Sequence, residues 1–313
     1  MSFAVFKKYT QIGQSTFSDQ IQSNLVSMLD YGLLCMGGFF TARTGVNAYY
    51  GNSHSNLRLS DDPRYMKGRV WESARSNWVW ESNIEYNIQP ISISGIYVNG
   101  SFLPNGSGYY IDYPRGRVVF NSSIPVTSQV KAEYSYRYYN VYSANVMWFR
   151  ELMNNSFRVD DHQFNQYGSG VWSLLSDNRA QLPCIFPYLV PRYNWKPKQL
   201  GGGEYLYHDV IFYIFAETPT DRDRIIDILS VQEDKRIFFY DKNLVAANNY
   251  YPLDVNGSLK PSGARNFVDL VENCLWADAI ITKTTMIDKN DYDAPNLFRG
   301  SCQWRLWIDF PDV

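Results

Sequence analysis

Histidine is scarce in this chain, and cysteine never occurs in pairs. The three histidines, His54, His162 and His208, are too far apart to form the close ligand pairs that a metal site on one helix needs. Cys35, Cys184, Cys274 and Cys302 are widely separated, without a C-x-x-C, and each has apolar neighbours, as in LPCIF and NCLWA. This spacing argues against a thiolate zinc site. It predicts four free, mostly buried thiols in a protein folded in a reducing cytoplasm. Charge is sparse too: 19% of residues are charged and the net charge is −2, so no general affinity for nucleic acid or anionic membrane is expected. The apolar run YGLLCMGGFF is too short and too glycine-rich to span a bilayer, and the first residues, MSFAVFKKYTQIGQS, have no secretory pattern.

Catalytic patterns are equally thin. Gly201-Gly202-Gly203 is not followed by Lys-Ser/Thr, and G-x-S-x-G and H-E-x-x-H do not occur. Asp160-Asp161-His162 reads as a polar loop, and the pairs Asp61-Asp62 and Glu233-Asp234 show no enclosure that would tune two carboxylates apart. The sequence therefore predicts no enzyme, cofactor or metal site.

Aromatic residues are abundant instead, at 17% of the chain with 25 Tyr, 18 Phe and 9 Trp. They suit sheets and subunit interfaces, where a large apolar body with a polar tip is useful. The clearest pattern is strand, capped helix, strand over residues 204–239. Tyr207–Phe215 reads as a buried strand, Thr218 as N-cap, Pro219 as first helical residue, and Ile225, Ile226, Ile228 and Leu229 as the apolar face. Asp221, Asp223, Asp227, Arg222 and Arg224 read as its charged face. An opening helix is expected from Thr16, ending at Gly37-Gly38.

Residues 91–143 predict a compact β unit, with Asn99-Gly100 as a hairpin turn. In its last strand Val130, Ala132, Tyr134, Tyr136 and Tyr138 should face a core, and Lys131, Glu133, Ser135 and Arg137 should face water. Residues 45–90 read as a long connection with short strands, lying against a neighbouring subunit, and 241–265 as another long loop. Residues 145–180 read as helical, 182–190 as an edge strand, Phe267–Ala277 as a helix and Arg299–Phe310 as a final strand. The expected fold is α+β: a mixed or antiparallel sheet flanked by helices, built from residues 1–44 and 145–313. A small sandwich-like all-β domain is inserted at 45–144.

The order of elements in residues 182–310 resembles the tail-terminator and minor-tail proteins of bacteriophages. The features that carry the likeness are Leu182-Pro183-Cys184-Ile185-Phe186, the Arg/Asp/Ile-rich helix and Arg299-Gly300. The unit from YYIDYPRGRVVF to VKAEYSYRYYNVY, with Asp112, Tyr113, Gly116, Val118 and Phe120, is similar to β modules of phage virion proteins. The resemblance implies a virion structural protein that forms a ring, most often of six subunits, at the head-proximal end of the tail. Tail tube, tail sheath and head-tail connector proteins would be its partners, with DNA passing through the ring. Trp195, Lys196, Lys198, Gly201, Gly202, Gly203, Arg222 and Arg224 are the candidate subunit-interface residues. The alternative is a receptor- or glycan-binding tail module with the tyrosine-rich β unit as its binding face.

Overall fold

The computed structural model describes residues 12–44, 54–145, 149, 181–191, 194–198, 204–294 and 297–310. The expected helix at 145–180 therefore lies almost wholly outside the described residues. The fold is α+β and mostly sheet, with two principal cores.

The first core belongs to an antiparallel β module. Its strands are β2 (Asn56–Leu59), β3 (Val70–Glu72), β4 (Gly95–Val98), β5 (Ser101–Pro104), β6 (Tyr109–Asp112), β7 (Arg117–Phe120) and β8 (Val130–Ala132), ordered β5-β4-β8-β2-β3-β7-β6. The Asn99-Gly100 turn forms as the sequence predicts, with both residues at positive φ between β4 and β5. A separate two-stranded ladder joins β1 (Phe39–Ala42) to β9 (Tyr134–Arg137). Trp71, Trp78, Tyr109, Tyr113, Val118, Tyr134 and Tyr136 pack inside this module. The described part of residues 45–90 thus supplies two strands of this sheet. Its tryptophans Trp71 and Trp78 are in this chain's own core.

The second core lies under a larger sheet. β10 (Asn140–Val141), β11 (Cys184–Leu189), β13 (Glu204–Ala216), β16 (Leu297–Asp309), β15 (Leu275–Ala294) and β14 (Arg236–Tyr240) follow in that spatial order, and β12 (Asn194–Pro197) adds to β13. All pairings are antiparallel except β10 with β11. The helices α1 (Phe17–Cys35) and α2 (Pro219–Ser230) cover one face. α1 begins at Thr16, whose side chain accepts from the Asp19 N–H, and α2 begins at Thr218, which accepts from Asp221. Ile21, Leu25, Leu29 and Leu33 of α1 meet Ile225, Ile226 and Leu229 of α2 above Val210, Phe212, Trp304, Leu306 and Ile308. α1 touches β10 and β11 at one end of the sheet and β14 at the other, so the sheet curls around it.

β13 is not buried on both faces, as its near-continuous apolar run suggests. Leu206, Val210, Phe212 and Ile214 point inward, while Tyr205, Tyr207, Asp209, Ile211 and Tyr213 are half-exposed on the far face. β11 is the penultimate strand; β10 pairs with it only at Cys184 and Ile185, and further along the Pro187 carbonyl accepts from Gln22 Nε2 of α1 at 3.1 Å. Residues 241–265 contain a helix, α3 (Lys242–Ala247), and are tied to the β module. Tyr113 N–H donates to Gly257 O at 3.1 Å and Ser258 Oγ to Ile111 O at 2.6 Å. Gly257 lies at positive φ, and a Cβ there would sit 2.5 Å from Asp112 Oδ1. The predicted helix from Phe267 stops early: α4 is Phe267–Asn273, and β15 starts at Leu275.

One side chain completes the edge of the sheet. Asn24 of α1 donates from Nδ2 to Tyr240 O at 2.8 Å and accepts from Tyr240 N–H at 2.7 Å, as a neighbouring strand would. Asn24→Ala leaves both backbone groups unpaired under a helix. We expect it to cost about 2–4 kcal/mol in denaturant unfolding, with Asn24→Asp, which keeps the acceptor, intermediate.

Candidate assembly surface

The residues that the sequence singled out fall in two places. Trp195 of β12 is packed within the chain, stacked on Phe310 at 5.4 Å and edge-on to Phe17 at 5.2 Å, and so joins the start of α1 to the end of β16. Lys196 is exposed, with its ammonium 5.5 Å from the Tyr207 ring centroid, and Lys198 pairs with Asp309 at 2.7 Å. Gly201, Gly202 and Gly203 lie outside the described residues.

Arg222 and Arg224 sit on α2, beside the other end of β13. From the Lys196–Tyr205 pairing to Ile214, opposite Gly300 where Arg222 packs, is about 30 Å along the strand. The reading of α2's charged residues as one solvated face needs correction. The Arg222 side chain is only 3% exposed; it bonds to Asp223 and lies against Phe298 and the Asn290 carbonyl. Asp221 is also buried, accepting from the Tyr138 hydroxyl at 2.9 Å. Arg224 remains on the surface, 58% exposed, and donates to Tyr139 Oη at 3.2 Å. Tyr138, between β9 and β10, covers Asp221, and the ends of β15 and β16 at Asn290, Phe298 and Gly300 cover Arg222.

Two further surfaces gave no sequence signal. β14 pairs with β15 only over Leu275–Ile280, so from Thr282 onward no strand among the described residues pairs with the outer side of β15, where the Thr284 N–H donates to Glu233 Oε2 at 3.2 Å. Met286 and Ile287 on that edge are 54% and 48% exposed. Elsewhere, where α1 diverges from β14, a groove of about 470 Å³ opens over Leu33, Ile225, Leu229, Ile237 and Trp304, with Phe267 on one wall.

Among the described residues no three His, Cys, Asp or Glu side chains are grouped to hold a metal. The four thiols are free. Cys184, Cys274 and Cys302 are buried, and burial pushes all three up, which keeps them protonated and unreactive. His208 is buried in β13, His54 stacks on Tyr136, and His162 lies outside the described residues. No described helix is long and apolar enough to cross a membrane.

Two buried ion networks escaped the sequence reading. In the β module, Arg117 donates to Asp112 at 2.9 Å and to Asp62 at 3.0 Å, with all three side chains 2% exposed. Burial opposes the charge on Asp62, but bonds from the Arg64 side chain and backbone and from Arg117 prevail and hold its carboxyl at about 2. At the junction of the two cores, Arg137 bonds to Glu81 and approaches Asp30 of α1. Both arginines looked like ordinary strand residues. Only the alternation around Arg137 gave a signal, and it pointed the wrong way: β1 and the Trp78 segment pair along the edges of β9, Arg137 is met by Glu81 and by Asp30 of α1, and Ser135 by Thr41 and the Ile91 N–H, so both side chains are buried.

No protein-family model matches this chain, and no curated protein matches it.

Proposed function

We propose that the chain is a bacteriophage virion structural protein of the tail or neck, of the tail-terminator type. It assembles with copies of itself into a ring, with six subunits as the expected number. The ring caps the tube or sheath by steric means and offers its outer face to the head-tail connector. No catalytic step is required.

The observation that carries this reading is the open outer edge of β15 with Met286 and Ile287 exposed. An unpaired strand edge with apolar side chains is a template for another chain. The separation of Lys196 from Arg224 also supports it, because a head-to-tail contact joins two different patches of one subunit and can close into a ring. The curled sheet with two helices on one face agrees with the element order that suggested the family. The burial of Tyr109, Tyr113, Tyr134 and Tyr136 in the module core favours this reading over a glycan-binding role for the tyrosine-rich β unit.

Electron microscopy of particles carrying a tagged chain tests the assignment. Density for the tag in a closed collar between head and tail is expected. Tag density at the fibre tips, or none in the particle, would refute the terminator role.

A further inference from the structure

Asp30, Glu81 and Arg137 meet where the two cores join. Asp30 is on α1, whose apolar side fills the core of the larger sheet. Arg137 ends β9, and Glu81 belongs to the segment that crosses β9 at Trp78. Both Arg137 and Glu81 are buried, and the Asp30 side chain is 20% exposed. Two carboxylates share one guanidinium. Arg137 Nη2 donates to Glu81 and Nη1 to Trp78 O at 3.1 Å, while Nε lies 3.5 Å from Asp30 Oδ1. Asp30 Oδ1 and Arg137 Nε are both covered, and neither has a hydrogen-bond partner. The remaining groups facing Asp30 are the Val141 N–H and the Tyr142 phenol, both neutral. With both carboxylates ionised, the cluster carries one uncompensated negative charge.

We propose that these three side chains form a proton-operated latch between α1 and the β module. With one proton on Asp30 the cluster is electrically balanced and the seam is closed. Loss of that proton leaves a buried charge without a partner, and the seam loosens. Acidification therefore tightens the junction and alkalinisation relaxes it.

The electrostatics agree with the geometry. Burial, reinforced by Glu81 and only partly offset by Arg137, pushes the Asp30 carboxyl up to about 7. A carboxyl that keeps its proton to about 7 in the closed seam, but only to about 4 once solvated, binds more protons when closed. The closed state is then favoured most at low pH. It loses ground as pH rises through this window, and nothing more is lost above it.

Hydrogen exchange of α1 and β9 amides in the full chain, corrected for intrinsic rates, measures seam opening between pH 5 and 8. In the wild type the opening constant should rise about tenfold per pH unit up to about pH 7 and then level off. Asp30→Asn should flatten the profile. If that variant does not fold, Glu81→Gln removes the same surplus charge and should flatten it instead. A flat wild-type profile would overturn the proposal, and so would an unchanged slope in the folded variant.

Discussion

Arg137→Glu is expected to prevent the chain from folding. Judged by strand alternation alone, this residue faces water, and a charge reversal there would cost less than about half a kcal/mol. In the structure its side chain is 5% exposed and holds Glu81 and Asp30 across the seam. Removing one partner from a buried ion pair costs about 3–5 kcal/mol, and here a third carboxylate would enter the same cavity. That is comparable with the whole stability of an ordinary domain, about 5–15 kcal/mol. Arg137→Met, which removes the charge without reversing it, should be the milder change, since no third carboxylate enters the cavity and Asp30 can take up a proton. Circular dichroism melts of both variants beside Tyr136→Asp give the comparison. Tyr136 is in the module core, so Tyr136→Asp and Arg137→Glu should be similarly disruptive. A folded Arg137→Glu protein with near-native melting would show that the seam is not held as described.

The second large effect is expected at Arg117. Arg117→Ala strands Asp62 and Asp112 inside the β module, and a loss of about 3–5 kcal/mol should follow. Arg64 and Arg115, each more exposed, keep some compensation at the outer ends of the network. Arg117→Lys should recover only part of the loss, because one ammonium cannot reproduce the fork that meets two carboxylates. The network also has a pH signature. The Asp62 carboxyl is held below its unfolded value of about 4, so the folded state binds fewer protons at acid pH. Its stabilisation is complete above about pH 4 and is lost as pH falls through about 2. Urea unfolding of wild type and Arg117→Ala at neutral pH and near pH 3 should show a smaller difference at the lower pH. An equal difference at both would remove Asp62 from the account.

What the sequence made legible was local. Thr16, Thr218 and Pro219 mark helix starts because capping needs only neighbouring backbone groups. Asn99-Gly100 marks its turn because few other dipeptides tolerate two positive φ values in succession. The alternation Cys302, Trp304, Leu306, Ile308 and Phe310 in the last strand marks one face, of which the first four are buried and Phe310 is half-buried. What failed depended on distant partners. The β9 alternation said which residues share a face, but not that Asp30 of α1 and Glu81 would meet Arg137, or Thr41 and the Ile91 N–H meet Ser135, on the second face. Asp30 lies 107 residues before Arg137, so no spacing could pair them. The loop at 241–265 looked unattached because its anchors, Gly257 and Ser258, bond to backbone of the β module, which carries no side-chain signature. Of the candidate interface residues, Lys196 and Arg224 are at the surface, whereas Trp195 and Arg222 are engaged within the chain.

Assembly into a closed ring is the claim on which the functional reading rests, and native mass spectrometry of the purified chain addresses it most directly. The account predicts one dominant closed species, with six subunits expected, that weakens when Met286 and Ile287 are both changed to Lys. A protein that stays monomeric alone and within assembled particles would contradict it.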